Sequence, residues 1–483
     1  MTHSTPLFLR RIGIFAGPLL ALFFYFFLLS STTLSHAGLL TASIAILMAL
    51  WWMTEAIPIA ATALLPLLLF PLFGVLDAKE TSSPYAHRLI FLFLGGFLLA
   101  ASMQRCNLHR RLALIVLKMV GDRPIWLIGG FMFVTASISL FVSNTATVMM
   151  LLPIAISIAK HLEEKLSHEE RQQFSTCLML GLAYSASIGG VGSLIGTPPN
   201  ALFAAFLQNE FGITISFREW LKFGLPIVLL FLPLTWLLLT KIIFPVHTKH
   251  LPQACEIFEQ ELTLLGKVSR AEWFVMIIFT LTALGWMFSP LLSKMFSIKL
   301  DDTSIAIAAS LLLFLIPGDK EGDRLLTWND TTSIPWGVLI LFGGGLSLAH
   351  ALSVHGVTDV IGKELFVLKD AHPFVLVLSV TTIVVFLSEI TSNTAIAATF
   401  LPVLGAIAKG IGIDPFLFLF PATIGISYAF MMPVGTPPNA LIFSSERVSM
   451  SHMIKAGFLL NLISIIFISL YSYFIVPLLR IVF

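Results

Sequence analysis

Two stretches of the chain carry nearly the same residues. Positions 143–160 read SNTATVMMLLPIAISIAK and positions 392–409 read SNTAIAATFLPVLGAIAK, identical at 9 of 18 places. A second repeat, GTPPNAL, stands at 196–202 and again at 435–441. Asn and Ser are strong helix N-caps, so Ser143-Asn144 and Ser392-Asn393 should each start a helix. Thr197 and Thr436 each precede a proline, the residue favoured at the first helical position. Four helix N-termini therefore belong to these repeats, each carrying about +0.5 of an elementary charge and free amide donors. Brought together, they make a site for an anion, helped by the hydroxyls and amides of Ser, Thr and Asn. The glycines beside them unwind the backbone and expose carbonyl oxygens, which suit a small hard cation. A lone SNT is usually a capped turn and a lone TPPN a helix stop. Both motifs, duplicated in the same order inside uncharged segments, point to function.

The elements that position them lie in a membrane. Of 483 residues 57% are hydrophobic and 11% charged, with a mean hydropathy of +0.95. A soluble domain carries about 25% charged residues. The net charge of +2 argues against a nucleic-acid partner. Cys106, Cys177 and Cys255 have no motif spacing, which gives neither a disulfide framework nor a metal site. The apolar run 12–30 after Arg10 and Arg11 lacks a clear cleavage site and reads as a first span, not a signal peptide.

In chain order, spans are expected at 11–30, 37–53, 56–76 and 88–103, then an amphipathic surface helix at 105–118 with Arg110 and Arg111 beside a leucine-rich face. The stretch 124–159 contains no Asp, Glu, Lys or Arg. It is too long for one crossing and too tightly joined for two, so it reads as a re-entrant hairpin. After a polar loop at 161–173 comes a span, 174–208, broken by Gly189, Gly190, Gly192, Pro198 and Pro199. An unbroken span at 219–244 closes the first half, and the polar segment 245–270 divides the halves. The order then repeats: spans at 270–288, 303–317 and 334–352, a surface helix at 353–368, a hairpin at 372–409, a broken span at 416–443 and a last crossing at 452–480. The fold class is an all-α polytopic membrane protein with about 11 crossings and two re-entrant hairpins. An internal N-terminus places most of the 28 Lys and Arg on the cytoplasmic side. An odd number of crossings between the copies inverts them, and inverted repeats mark transporters.

Three further residues stand out. Ser139 and Ser388 each precede a tripeptide by four residues, as ligands or as helix back-bonders. Glu389 has Leu140 as its counterpart, and an intramembrane carboxylate is a functional candidate by default.

The paired SNT tripeptides, the two GTPPNAL stretches and Trp51-Trp52-Met53-Thr54-Glu55-Ala56-Ile57-Pro58 together resemble the divalent-anion/sodium symporter family across essentially the whole chain. The resemblance implies an elevator-type secondary transporter of the inner cell membrane, homodimeric, that moves di- or tricarboxylates or sulfate. Its scaffold would be 1–120 and 246–370, and its transport domain 121–245 and 371–483. It implies substrate contacts from Ser143, Asn144, Thr145, Thr197, Pro198, Ser392, Asn393, Thr394, Thr436 and Pro437. One sodium site would use Ser139, Ser143, Asn144 and Gly196, and the other Ser388, Thr391, Asn393 and Gly435.

A charge count agrees on the cation. A buried dianion needs compensating positive charge. Yet the only charged residues in 124–159, 172–217, 371–408 and 410–446 are Glu210, Glu389, Asp414 and Glu446, all negative. Bound sodium is the best candidate for small oxygen cages. The expected activity is sodium-coupled import of small dicarboxylates of the succinate, malate and fumarate class. The alternatives are a sodium-independent dicarboxylate exchanger and a sulfate or tricarboxylate carrier of the same family. A membrane hydrolase would need catalytic pairs at depth. His168-Glu169-Glu170 lacks a second His at helical spacing, and no GxSxG occurs.

Overall fold

The computed structural model describes residues 7–31, 34–161, 168–246, 254–319 and 322–481. Residues 162–167 of the expected polar loop and 247–253 of the dividing segment lie outside them. Among the described residues the chain is helical, with one isolated bridge between Pro317 and Arg324. Among the described residues eight helices are long and apolar enough to cross a membrane. Most hairpin arms and broken-span pieces are shorter, including Pro124–Ser139, Asn144–Lys160, Pro373–Ser388 and Pro415–Ile426.

Both hairpins form where the repeats place them. The leading arms Pro124–Ser139 and Pro373–Ser388 have 16 residues each. Turns at 140–143 and 389–392 lead into the return arms Asn144–His161 and Asn393–Ile411. Proline opens each leading arm, where its missing N–H costs nothing. The broken spans follow: His168–Gly190 with Pro198–Phe211, and Pro415–Ile426 with Pro437–Ser444.

Two expectations need correction. The third span, expected at 56–76, is divided into Ile59–Thr62 and Leu65–Leu72. Pro66 cannot donate to the preceding turn, and its ring disfavours helix just before it. The Ala63 carbonyl at the break accepts a hydrogen bond from the Tyr85 hydroxyl. Gly344 packs directly on it, because a methyl there would stand 2.3 Å from the Ala63 oxygen.

The amphipathic helix runs Leu108–Val120, but its basic residues are not spread on a lipid surface. Arg110 pairs with Glu261 and Lys118 with Glu259, at 2.5 and 2.8 Å, on the neighbouring helix Ala254–Leu265. Arg111 is buried and reaches Glu272 at 2.6 Å, while donating to the carbonyls of Gly266, Leu265 and Lys267. Amphipathicity alone does not distinguish a lipid-facing helix from one covered by an acidic partner. The second surface helix is shorter, Val357–Glu364, and continues as a 3-10 turn over Leu365–Asp370.

Candidate functional site at the hairpin tips

At the first tip, Ser143 caps the return arm: its hydroxyl accepts from the Ala146 amide at 3.3 Å. The Ser139 hydroxyl lies 2.6 Å from Asn144 Oδ1 and 2.8 Å from the Ala186 carbonyl, sharing its one proton between them. The unwound loop after His168–Gly190 closes around this pair. A methyl on Gly190 would sit 2.7 Å from Asn144 Oδ1, and one on Gly196 would sit 2.4 Å from Gly190 O and 3.0 Å from Ser139 O. Ser139, Asn144 and Gly196, three of the four residues expected for one sodium site, thus converge, with Ser143 next in the chain.

The second tip is built differently. Ser388 spends its hydroxyl on the Val385 carbonyl of its own helix at 2.7 Å. Thr391 donates to the Met53 carbonyl at 3.3 Å, on the helix His36–Thr54. Asn393 keeps a buried Oδ1 without a partner. Gly435 faces Met432 O and Glu389 Oε2, which a methyl would meet at 3.3 and 3.1 Å. Of the second expected set, Asn393 keeps an oxygen without a partner, and the Ser388 and Thr391 hydroxyls donate their protons to carbonyls and keep their oxygen lone pairs.

The two loops are tied to their hairpins by the same link with its chemistry exchanged. In the first half the Ser193 hydroxyl donates to the Leu140 carbonyl. In the second half Met432, at the position corresponding to Ser193, donates its amide to the side chain of Glu389, which corresponds to Leu140. Glu389 is 1% exposed and accepts from the amides of Phe430, Met431 and Met432 at 2.7, 2.8 and 2.8 Å. Asn461 Nδ2 adds a fourth bond at 2.6 Å. All four partners are donors, a nest of successive N–H groups plus one side-chain amide around the carboxyl oxygens. The candidate carboxyl is enclosed by the protein's own groups. Glu389→Ala is expected to strand the buried amide of Phe430 and the part-buried amides of Met431 and Met432, at up to about 1–3 kcal/mol each. A fluorescence size-exclusion thermal melt should show a large loss for it and a smaller one for Asn461→Ala, which leaves the nest intact. Equal melting of the two variants would refute the nest as the dominant tie.

The helix N-termini cross between the halves. Pro437–Ser444 packs against Asn144–His161 and His168–Gly190, and Pro198–Phe211 packs against Asn393–Ile411 and Pro415–Ile426. Each GTPPN helix therefore lies beside the other half's hairpin. Thr436 caps its helix by accepting from the Asn439 amide at 3.3 Å, while Thr197 makes no such bond. Ser143 and Pro437 are exposed. Asn144, Thr145, Pro198, Ser392, Asn393 and Thr394 are half-buried, and Thr197 and Thr436 are buried. Among the described residues no group of three or more His, Cys, Asp or Glu occurs, so the available donors are oxygens of hydroxyls, amides and backbone.

A family model described as the sodium:sulfate symporter transmembrane region matches residues 14–481. The chain belongs to this family. It is a family of symporters, which sets aside the membrane hydrolase. Among its relatives is the sodium-dependent dicarboxylate transporter SdcS of Staphylococcus saprophyticus, 41% identical over 475 residues, 96% of this chain and 91% of the relative. SdcS of Staphylococcus aureus strain USA300 is also 41% identical, over 478 residues and the same shares. Two solved transporters share the fold at low identity. They are YdaH of Alcanivorax borkumensis (TM-score 0.59, 14% identity, 91% of this chain and 98% of that one) and MtrF of Neisseria gonorrhoeae (0.57, 13%, 92% and 96%). This family member is thus a multi-pass membrane protein.

The sequence reading did not single out the side chains of Asn200, Asn439 and Asn461. Asn200 and Asn439 were visible as the last polar letter of each GTPPN copy. Asn461 carries no motif at all.

Proposed function

We propose that this chain imports small dicarboxylates across the inner cell membrane, coupled to sodium, by an elevator movement. The observation that carries the reading is the tip region itself. Each half's GTPPN helix packs beside the other half's hairpin, and neutral oxygen donors stand at tips whose flanking segments carry no Lys or Arg before Lys160 and Lys409 at the far ends of the return arms. Half-helix dipoles are partial charges and do not neutralise a dianion. With Glu389 enclosed by donors, the missing charge falls to cations held by the unwound loops. The oxygens of Ser139, Ser143, Asn144 and Gly196, and of Ser388, Thr391, Asn393 and Gly435, would hold two sodium ions, while Ser143-Asn144-Thr145, Ser392-Asn393-Thr394, Thr197-Pro198 and Thr436-Pro437 would face the substrate. Dicarboxylate is the preferred substrate class because the staphylococcal relatives are named for it.

The elevator reading is supported by an asymmetry between the hairpins. The second return arm, Asn393–Ile411, packs on His36–Thr54, Trp336–Val354 and Val357–Glu364, the helices assigned to the scaffold. The first, Asn144–His161, packs chiefly on His168–Gly190, Pro437–Ser444 and its own leading arm, all assigned to the transport domain. With a cytoplasmic N-terminus this is an inward-facing arrangement. A homodimer joined through the scaffold completes the proposal.

Uptake of labelled succinate into proteoliposomes tests it. Uptake should rise steeply with external sodium and fall to background when choline replaces it. Linkage requires that succinate in turn tighten sodium binding. Undiminished uptake in choline, driven by dicarboxylate preloaded inside, would establish the exchanger instead. Uptake of sulfate but not succinate would establish the sulfate carrier.

A further inference from the structure

Each GTPPN copy ends in an asparagine engaged in the same way. Asn200 Nδ2 donates to the carbonyls of Gly190 and Ser193 at 3.1 and 2.8 Å. Asn439 Nδ2 donates to the carbonyls of Ala429 and Met432 at 3.0 and 3.1 Å. The acceptors correspond pairwise under the spacing of 239 residues that relates the two asparagines. Both side chains are fully buried, and both leave Oδ1 buried without a partner.

We propose that Asn200 and Asn439 are positioning residues for the coupling cations, each holding one unwound loop in its ion-binding shape. The inference rests on the sodium-coupled reading given above, and the geometry supports it in three steps. First, glycine-rich backbone without helical bonds has many conformations, so its carbonyls point at an ion only if something outside the loop holds them. One amide group bonded to two carbonyls spans each turn and supplies that constraint. Second, the pinned residues are those that meet the tips. Gly190 abuts Asn144 Oδ1, and Met432 O stands with Glu389 Oε2 against Gly435.

Third, the unpartnered oxygens distinguish this role from ordinary packing. A buried acceptor without a donor costs stability, yet both halves retain one on the same amide that grips the loop. A cation entering the loop gives each oxygen a favourable electrostatic partner. The two faces of the second loop are then held separately, its amides by Glu389 and its carbonyls by Asn439. In the first loop, Trp220 Nε1 holds Val191 O at 2.9 Å and Asn200 holds the flanking carbonyls.

The test measures sodium affinity apart from transport. Purified wild type, Asn200→Ala and Asn439→Ala are titrated with sodium chloride, using choline chloride to keep ionic strength fixed. The readout is the rise in melting temperature, alongside succinate uptake in proteoliposomes. Each alanine variant loses two hydrogen bonds to the loop, so the sodium concentration for half-maximal effect should rise about tenfold or more. Succinate affinity at saturating sodium should stay within about twofold, a smaller change than one lost hydrogen bond gives. Asn200→Ser and Asn439→Ser, which keep one donor, should fall between wild type and alanine and serve where an alanine variant does not fold. A sodium response in wild type, with variant curves superimposed on it after correction for protein amount, overturns the positioning role and leaves the symporter reading intact. A wild type whose melting and uptake both ignore sodium overturns that reading and this inference together.

Discussion

Asn393→Ala should abolish dicarboxylate uptake while leaving the protein as stable as wild type. The reason lies in what the side chain does not do inside the molecule. Its Oδ1 is buried without a partner, so truncation breaks no internal bond there. Asn144 differs, because its Oδ1 receives the Ser139 hydroxyl at 2.6 Å, and Asn144→Ala should therefore lose stability as well as transport. Hydrogen bonds to charged groups contribute about 1.5–3 kcal/mol. Losing one such contact to a carboxylate or sodium lowers affinity roughly ten- to hundredfold. Initial uptake rates and melting temperatures measured on the same preparations check both statements. Full transport by a well-folded Asn393→Ala would remove the site from the second hairpin tip.

Locking the second hairpin to the scaffold should stop transport altogether. Lys409, near the end of the return arm, pairs with Asp359 of the surface helix Val357–Glu364 at 3.0 Å. Beside them the two helices touch backbone to backbone: a methyl on Gly410 would stand 2.2 Å from Gly362 Cα. Neither charged residue belongs to the proposed binding site, and both are exposed, so the ion pair itself contributes little stability. Cysteines replacing Asp359 and Lys409, in a background without Cys106, Cys177 and Cys255, should retain transport until bridged by a short bifunctional thiol reagent. Bridged protein should then bind succinate from the cytoplasmic side but not carry it across. Efficient bridging with transport at its normal rate would mean that the arm does not move past this helix.

Much of this architecture could be read from the chain because its signals are local. A serine-asparagine cap, a threonine before proline and a run of glycines each act within one helical turn. Repeated in order in both halves, they located the hairpins, the broken spans and the four helix ends that the structure contains. The missing basic residues were equally legible, since composition needs no coordinates. The break at Ala63 was missed because a proline inside an apolar stretch also occurs in continuous spans, as Pro226 and Pro233 do within Phe217–Leu237. Tyr85, Gly344 and the freed carbonyl decide that case, and they come from three separate segments.

Tertiary structure alone decided the roles of the long-range partners. In the sequence Glu389 is one carboxylate in an apolar hairpin, a functional candidate by default with nothing local to name its partners. Only the folded chain brings the amides of residues 430–432 and the side chain of Asn461 onto it, enclosing the candidate in the protein's own donors. The same holds for Asn200 and Asn439, whose carbonyl partners are set by how each loop folds back. The exchange of GTPPN helices between halves is also invisible to periodicity, because a helix face does not say which apolar neighbour will cover it. Caps and breaks are determined by neighbours in sequence. Buried charge and loop shape are determined by neighbours in space, since a buried polar group is stable only where the fold supplies its partners.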